Sequence, residues 1–257
     1  MCFDLDSRPP IAPIVGGSVD HERIVVTAAD GNRFLAFRAS AAAPTGAGIV
    51  ILPDVRGLHP YYEELALRFA EHGIDALAID YFGRTAGTET PRDDAFECWP
   101  HVERTTWAGL SADIRAAAAD IRSVDGRYVR SLFTVGFCFG GRLAFVSPML
   151  GLDLAGAIGF YGRPTDQHPS GTPIPIEVAG QMEGAVLGLF GGADTGIPPE
   201  AIAAFETALA TAGVDHRLVT YPGAPHSFFD RKAADFADAS ATAWTEVLDF
   251  IGARTIS

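Results

Sequence analysis

Cys138 stands in the run 134–141, TVGFCFGG, with glycines two positions to either side. A strand that enters a helix through G-x-C-x-G is the pattern of a nucleophile elbow, with cysteine in the place more often taken by serine. The glycines have a physical purpose: at so sharp a turn the nucleophile carries a strained backbone, and its neighbours must lack side chains for strand and helix to approach. The helix amino end then lies beside the sulfur, where its dipole and free N–H groups favour thiolate and an oxyanion. Further on, LGLFGGAD ends at Asp194 and RLVTYPGAPHSFF carries His226. Nucleophile, then acid, then histidine, each after a strand, is the order in which such a fold delivers its catalytic groups. Alternative readings stay open: Cys138 as a small core residue beside tight-turn glycines, Asp194 as a helix cap before TGIPPE, and His226 as a solvated loop histidine. His59, His101 and His168 lie in or near loops that could border a pocket and are further candidates for the base.

These groups need a scaffold, and the hydrophobic pattern describes one. From about residue 47 apolar runs of strand length alternate with helical patterns, the signature of a mainly parallel sheet covered by helices. Strands are predicted at 48–52, 74–81, 130–135, 154–161, 185–190 and 217–221, and helices at 61–72, 105–123, 141–150, 198–213 and 234–252. Before them, 23–27 and 33–38 form a predicted hairpin around Asp30-Gly31-Asn32, an antiparallel edge. The segments 83–104 and 163–184 read as long loops, and loops of that length in a compact domain usually border a binding site. The expectation is a single domain over 1–257 with a sheet of about seven to eight strands and helices on both faces.

Composition narrows the function. With 19 lysines and arginines against 32 aspartates and glutamates, the net charge of −13 repels nucleic-acid phosphates and anionic membrane surfaces. The opening residues MCFDLDSRPP lack a basic segment, no apolar run reaches the length of a membrane span, and the expected location is cytoplasmic. Three widely spaced cysteines, Cys2, Cys98 and Cys138, make neither a disulfide framework nor a zinc site. Neither G-x-G-x-x-G nor a phosphate loop is present, so neither metal nor nucleotide cofactor is expected.

Five segments, LPDVRG, IDYFGR, GFCFGG, GGAD and PHSFFDR, together resemble the dienelactone hydrolase family of α/β-hydrolases and span nearly the whole chain. The resemblance implies an α/β-hydrolase fold with Cys138 as nucleophile, His226 as general base and Asp194 as the group that orients the histidine. It implies an oxyanion hole from the backbone N–H groups of Phe139 and Val55. It places Asp54 where the family has a glutamate that hydrogen-bonds the resting thiol, Arg84 where an arginine binds the substrate carboxylate, and Tyr161 in the pocket wall. A second family arginine falls one position away, at Arg231, because position 230 is Asp230.

The expected activity is therefore cofactor-free hydrolysis of small esters or lactones through a thioester on Cys138, by a monomer or homodimer. A thioesterase, peptidase or general carboxylesterase would use the same triad. A non-catalytic binding protein of this fold, or a redox sensor pairing Cys138 with Cys98, are readings of other classes; a complete Cys-Asp-His set speaks against pure binding.

Overall fold

A computed structural model describes residues 4, 6–14, 20–123 and 128–256, so that Cys2 lies outside the described residues. The strands are β1 (Asp20–Thr27), β2 (Arg33–Ser40), β3 (Ala47–Leu52), β4 (Asp75–Ile79), β5 (Ser131–Phe137), β6 (Leu154–Phe160), β7 (Ala185–Gly191) and β8 (His216–Tyr221). They form one sheet in the order β1-β2-β4-β3-β5-β6-β7-β8. β2 runs antiparallel to both its neighbours and every other pairing is parallel, as the predicted hairpin followed by crossovers requires. β3, β4, β5 and β7 are buried along their whole length, the consequence of apolar runs covered on two faces.

Successive side chains of these strands feed two cores. Ile49, Ile51, Ala76, Ala78, Phe133 and Val135 pack on one side of the sheet, while Val50, Leu52, Leu77, Ile79 and Leu132 pack on the other. The first side is covered by α1 (Pro60–Glu71), α7 (Pro199–Ala212) and α8 (Ala237–Arg254), through Tyr61, Phe205, Val247 and Phe250 among others. The second is covered by α4 (Trp107–Arg122), whose Leu110, Ile114, Ala117 and Ile121 recur at helical spacing. α4 begins later than predicted because Thr106 caps it, its side chain accepting the Gly109 N–H at 3.2 Å.

The helix after β5 differs more from expectation. α5 (Phe139–Val146) starts directly after Cys138 and is buried all round, and residues 147–150, predicted as its continuation, form a tighter 3-10 turn around Pro148. Proline has no N–H to continue an α-helical ladder. The two long connections also carry local structure: 83–104 holds α2 (Gly83–Ala86) and α3 (Trp99–Val102), and 163–184 holds α6 (Pro175–Val178) with a 3-10 turn at Ala179–Gln181.

Candidate active site

At the end of β5 the chain makes the turn the motif anticipated. Cys138 has φ 54 and ψ −107, a left-handed backbone that an L-residue with a side chain adopts only at a cost of order 1–3 kcal/mol. Its neighbours admit no side chain. A Cβ at position 136 would lie 1.9 Å from the Gly140 carbonyl oxygen, and one at position 140 would lie 2.0 Å from that of Leu52. These are contacts of backbone with backbone, so the turn exists only with glycine at both places.

Asp194 and His226 leave the carboxyl ends of β7 and β8 and meet. His226 Nδ1 is 2.6 Å from Asp194 Oδ2, and Asp194 Oδ1 accepts the Gly196 N–H at 2.9 Å. Burial acts to raise the Asp194 carboxyl, but the hydrogen bond and charge of His226, the Gly196 N–H and Arg163 together hold it below the usual carboxylate range. A carboxylate at Nδ1 assigns the proton to that nitrogen and leaves Nε2 as the basic position. The ring packs against Tyr161, with centroids 4.9 Å apart.

Cys138, Asp194 and His226 line a single cavity of about 530 Å³, together with Val55, Phe139 and Tyr161. That volume suits a small organic molecule. The N–H groups of Phe139 and Val55 have no hydrogen-bond partner among the described residues. The Val55 loop is propped from beneath by Tyr81, whose hydroxyl donates to the Pro53 carbonyl at 2.9 Å and whose ring meets that of Phe139 edge-on. Tyr161 is buried with φ 40, and its hydroxyl has no hydrogen-bond partner among the described residues. Its phenol is pushed well up, first by burial. Both long connections reach the cavity, the first through Trp99 and Val102, the second through Arg163, Asp166 and His168.

Two of the expected site residues are placed elsewhere. Arg84 is taken by Asp30 at 2.6 Å and Asp113 at 2.8 Å and is not in the cavity wall; α2 turns its side chain toward the β1–β2 turn and α4 instead. Asp54 gives both carboxylate oxygens to the side chain of Arg56 and does not line the cavity, so a thiol-gating role finds no support in its contacts. Arg231 does line the cavity: no described carboxylate pairs with it, and its Nε is buried without a hydrogen-bond partner. Asp230, its neighbour, points to Arg56.

Of the other histidines, His168 lines the cavity and contacts the Phe139 ring at 5.2 Å. His59 caps α1, accepting the Tyr61 N–H, and His101 meets Thr85 Oγ1 at 2.8 Å; neither is in the cavity wall. Cys98 is buried at the start of α3 and burial pushes its thiol up, which makes it a poor partner in thiol exchange. Among the described residues no cluster of three or more histidine, cysteine or carboxylate side chains could hold a metal ion, and no helix is long and apolar enough to cross a membrane.

Arg142 escaped the sequence reading. It sits one turn beyond Cys138 on α5, lines the cavity, and donates to the carbonyls of Thr172 at 3.2 Å, Pro173 at 3.1 Å and Asp166. It therefore ties α5 to the second long connection. The spacing of four from Cys138 along a helix was the signal available for it.

Comparison with known proteins agrees with this architecture. The family model described as "Dienelactone hydrolase family" matches residues 34–255. A protein of Synechocystis sp. named "Putative carboxymethylenebutenolidase" is 29% identical over 241 residues, covering 90% of this chain and 96% of its own. Among solved structures, a Klebsiella pneumoniae protein described as "Putative Dienelactone Hydrolase" superposes with a TM-score of 0.79 at 23% identity, covering 91% of this chain and 99% of that one. An α/β-hydrolase from Penicillium sp. sh18 superposes with a TM-score of 0.70 at 13% identity, over 92% of this chain and 99% of that one. At those identities the two structures show the fold, that of the α/β-hydrolases.

Proposed function

This chain belongs to the dienelactone hydrolase family, and from that premise we propose that it hydrolyses small esters or lactones with Cys138 as nucleophile. The observation that carries the reading is the meeting in one cavity of a cysteine on a strained elbow with a histidine held by a carboxylate at 2.6 Å. His226 Nε2 takes the thiol proton and the sulfur attacks the carbonyl carbon. The negative charge that develops on oxygen is received by the N–H groups of Phe139 and Val55. As the tetrahedral centre collapses, the C–O bond breaks and the leaving oxygen takes the proton from His226. A thioester on Cys138 remains. Water, deprotonated by His226, attacks it; the thiolate leaves, and the carboxylic acid is released.

The same geometry serves an open ester, a lactone or a thioester, and the cavity wall suggests how substrates are sorted. Arg231, with no described carboxylate partner, is a cation available to an acidic group of the substrate. Tyr161, with its buried hydroxyl lacking a partner, can donate to a substrate oxygen. The test is hydrolysis by purified protein of a panel of lactones, aryl esters and thioesters, with Cys138→Ala as control. Turnover that survives in Cys138→Ala would remove the cysteine from the mechanism, and a panel with no substrate would remove the hydrolase reading.

A further inference from the structure

Two loops that carry different parts of this chemistry leave the sheet far apart. Val55 follows β3 and His226 follows β8, and β5, β6 and β7 lie between those strands. At about 4.8 Å per strand the two roots are ~19 Å apart. Strand geometry alone does not bring oxyanion donor and base to one carbonyl, and the loop after β8 must run back across the sheet edge.

What catches it is a buried cation. Arg56 is 3% exposed and lies between two acids that are 2% and 5% exposed, Asp54 and Asp230. Its Nε donates to Asp54 at 3.0 and 3.1 Å, and Nη2 donates to Asp54 at 2.9 Å and also to Asp230. The guanidinium stands over the rings of Tyr61 and Tyr62 at 5.4 and 5.6 Å. Those tyrosines, adjacent on α1, hold one loop each. Tyr62 Oη accepts the Asp54 N–H at 3.0 Å, and the Tyr61 hydroxyl donates to the Phe229 carbonyl at 2.6 Å.

For stability alone this cluster is a poor choice. Buried ion pairs are often no better than apolar residues of the same volume, and here one cation faces two carboxylates. Burial pushes the Asp230 carboxyl up to about 6, against the pull of Arg56 and with the push of Asp54. A geometric role accounts for the arrangement better than an energetic one. We propose that Arg56 is a positioning residue that clamps the Val55 loop to the His226 loop, so that oxyanion donor and base address the same carbonyl; the proposal rests on the hydrolase reading above.

The test compares wild type with Arg56→Met, Arg56→Lys and Asp230→Asn, reading kcat and KM on phenyl acetate and hydrogen exchange by mass spectrometry. Arg56→Met is expected to lose about 100-fold in kcat, the usual effect of misplacing reacting groups by about an ångström, with KM changed less than about threefold. Exchange should quicken together in residues 53–58 and 226–233 and stay unchanged in β6. Arg56→Lys, which keeps the charge, should recover about tenfold of the lost kcat. Unchanged kcat in Arg56→Met, or quickening in only one of the two loops, overturns the clamp. Should Arg56→Met not fold, Asp230→Asn carries the test, with the same signs and a loss of about tenfold expected; no change in either reading overturns the proposal. Exchange needs no turnover. Wild type that hydrolyses nothing, with both loops loosened in Arg56→Met, supports the tie between loops and sinks the hydrolase reading instead.

Discussion

The imidazole Nδ1 of His226 and the Asp194 Oδ2 stand 2.6 Å apart although 32 residues of chain separate them. An acceptor at that distance sets the tautomer of the ring and, in the proposed mechanism, favours the imidazolium that forms when His226 takes a proton. His226→Ala should therefore lower kcat by roughly 10³-fold or more, and Asp194→Asn should lower it less, since the ring stays in place. Steady-state kinetics on one aryl ester decides the order. A larger loss in His168→Ala than in His226→Ala would transfer the base to the other histidine of the cavity.

Strain at the elbow gives a second expectation. Because Cys138 holds φ 54, Cys138→Gly should be more stable than Cys138→Ala by about 1 kcal/mol, although glycine ordinarily destabilises a fold. Both should be folded and inactive. Thermal melts of the two variants under one condition make the comparison, and equal midpoints would mean that the turn relaxes without the sulfur.

Recognition of substrate charge separates two arginines that the sequence pairs. Arg231→Met should weaken hydrolysis of an acid-bearing lactone by about 1.5–3 kcal/mol in kcat/KM and leave its neutral methyl ester unchanged. Arg84→Met should alter neither substrate selectively. Arg84 instead partners Asp113, whose carboxyl burial pushes up to about 6, so that its loss should appear as a lower melting temperature. Equal losses on acid and ester in Arg231→Met would make Arg231 a structural residue.

Stability should depend on pH in two opposed ways. Asp194 is held below its ordinary value, so its contribution is complete above the unfolded pKa of about 3.9 and is lost as pH falls through the folded one. Asp230 is pushed up to about 6, so what it contributes is present below the unfolded value and lost as pH rises through about 6. Between about pH 4.5 and about pH 7.5, the stability of Asp230→Asn relative to wild type should move by roughly 2 kcal/mol in favour of the variant. Urea denaturation at the two pH values measures it; a constant difference would mean that Asp230 keeps an ordinary pKa.

The parts of this molecule that were legible in the sequence are those whose cause is local. The glycines about Cys138 are demanded by backbone contacts within the turn, and the succession of Asp194 and His226 after strands follows from the chain order. The strands showed as apolar runs because the sheet is covered on both faces. Arg56 and Arg142 were not legible, because a buried arginine is recognised by what surrounds it and both draw their partners from distant segments. Arg84 and Asp54 stand outside the cavity wall for the same reason: each holds the expected position in its motif, but Asp113 and Arg56 draw their side chains elsewhere.

The bridge from Arg56 to Asp230 closes a loop of 174 residues, and this has a consequence for the order of events in time. A chain made from its amino end presents Cys138 well before the strand that delivers His226, so the nascent thiol has no imidazole from that loop beside it. Contacts of such long range are also the last for which loop closure is repaid during refolding. Recovery of catalysis should therefore trail recovery of the sheet, with the enzyme assembled as a scaffold first and armed afterwards.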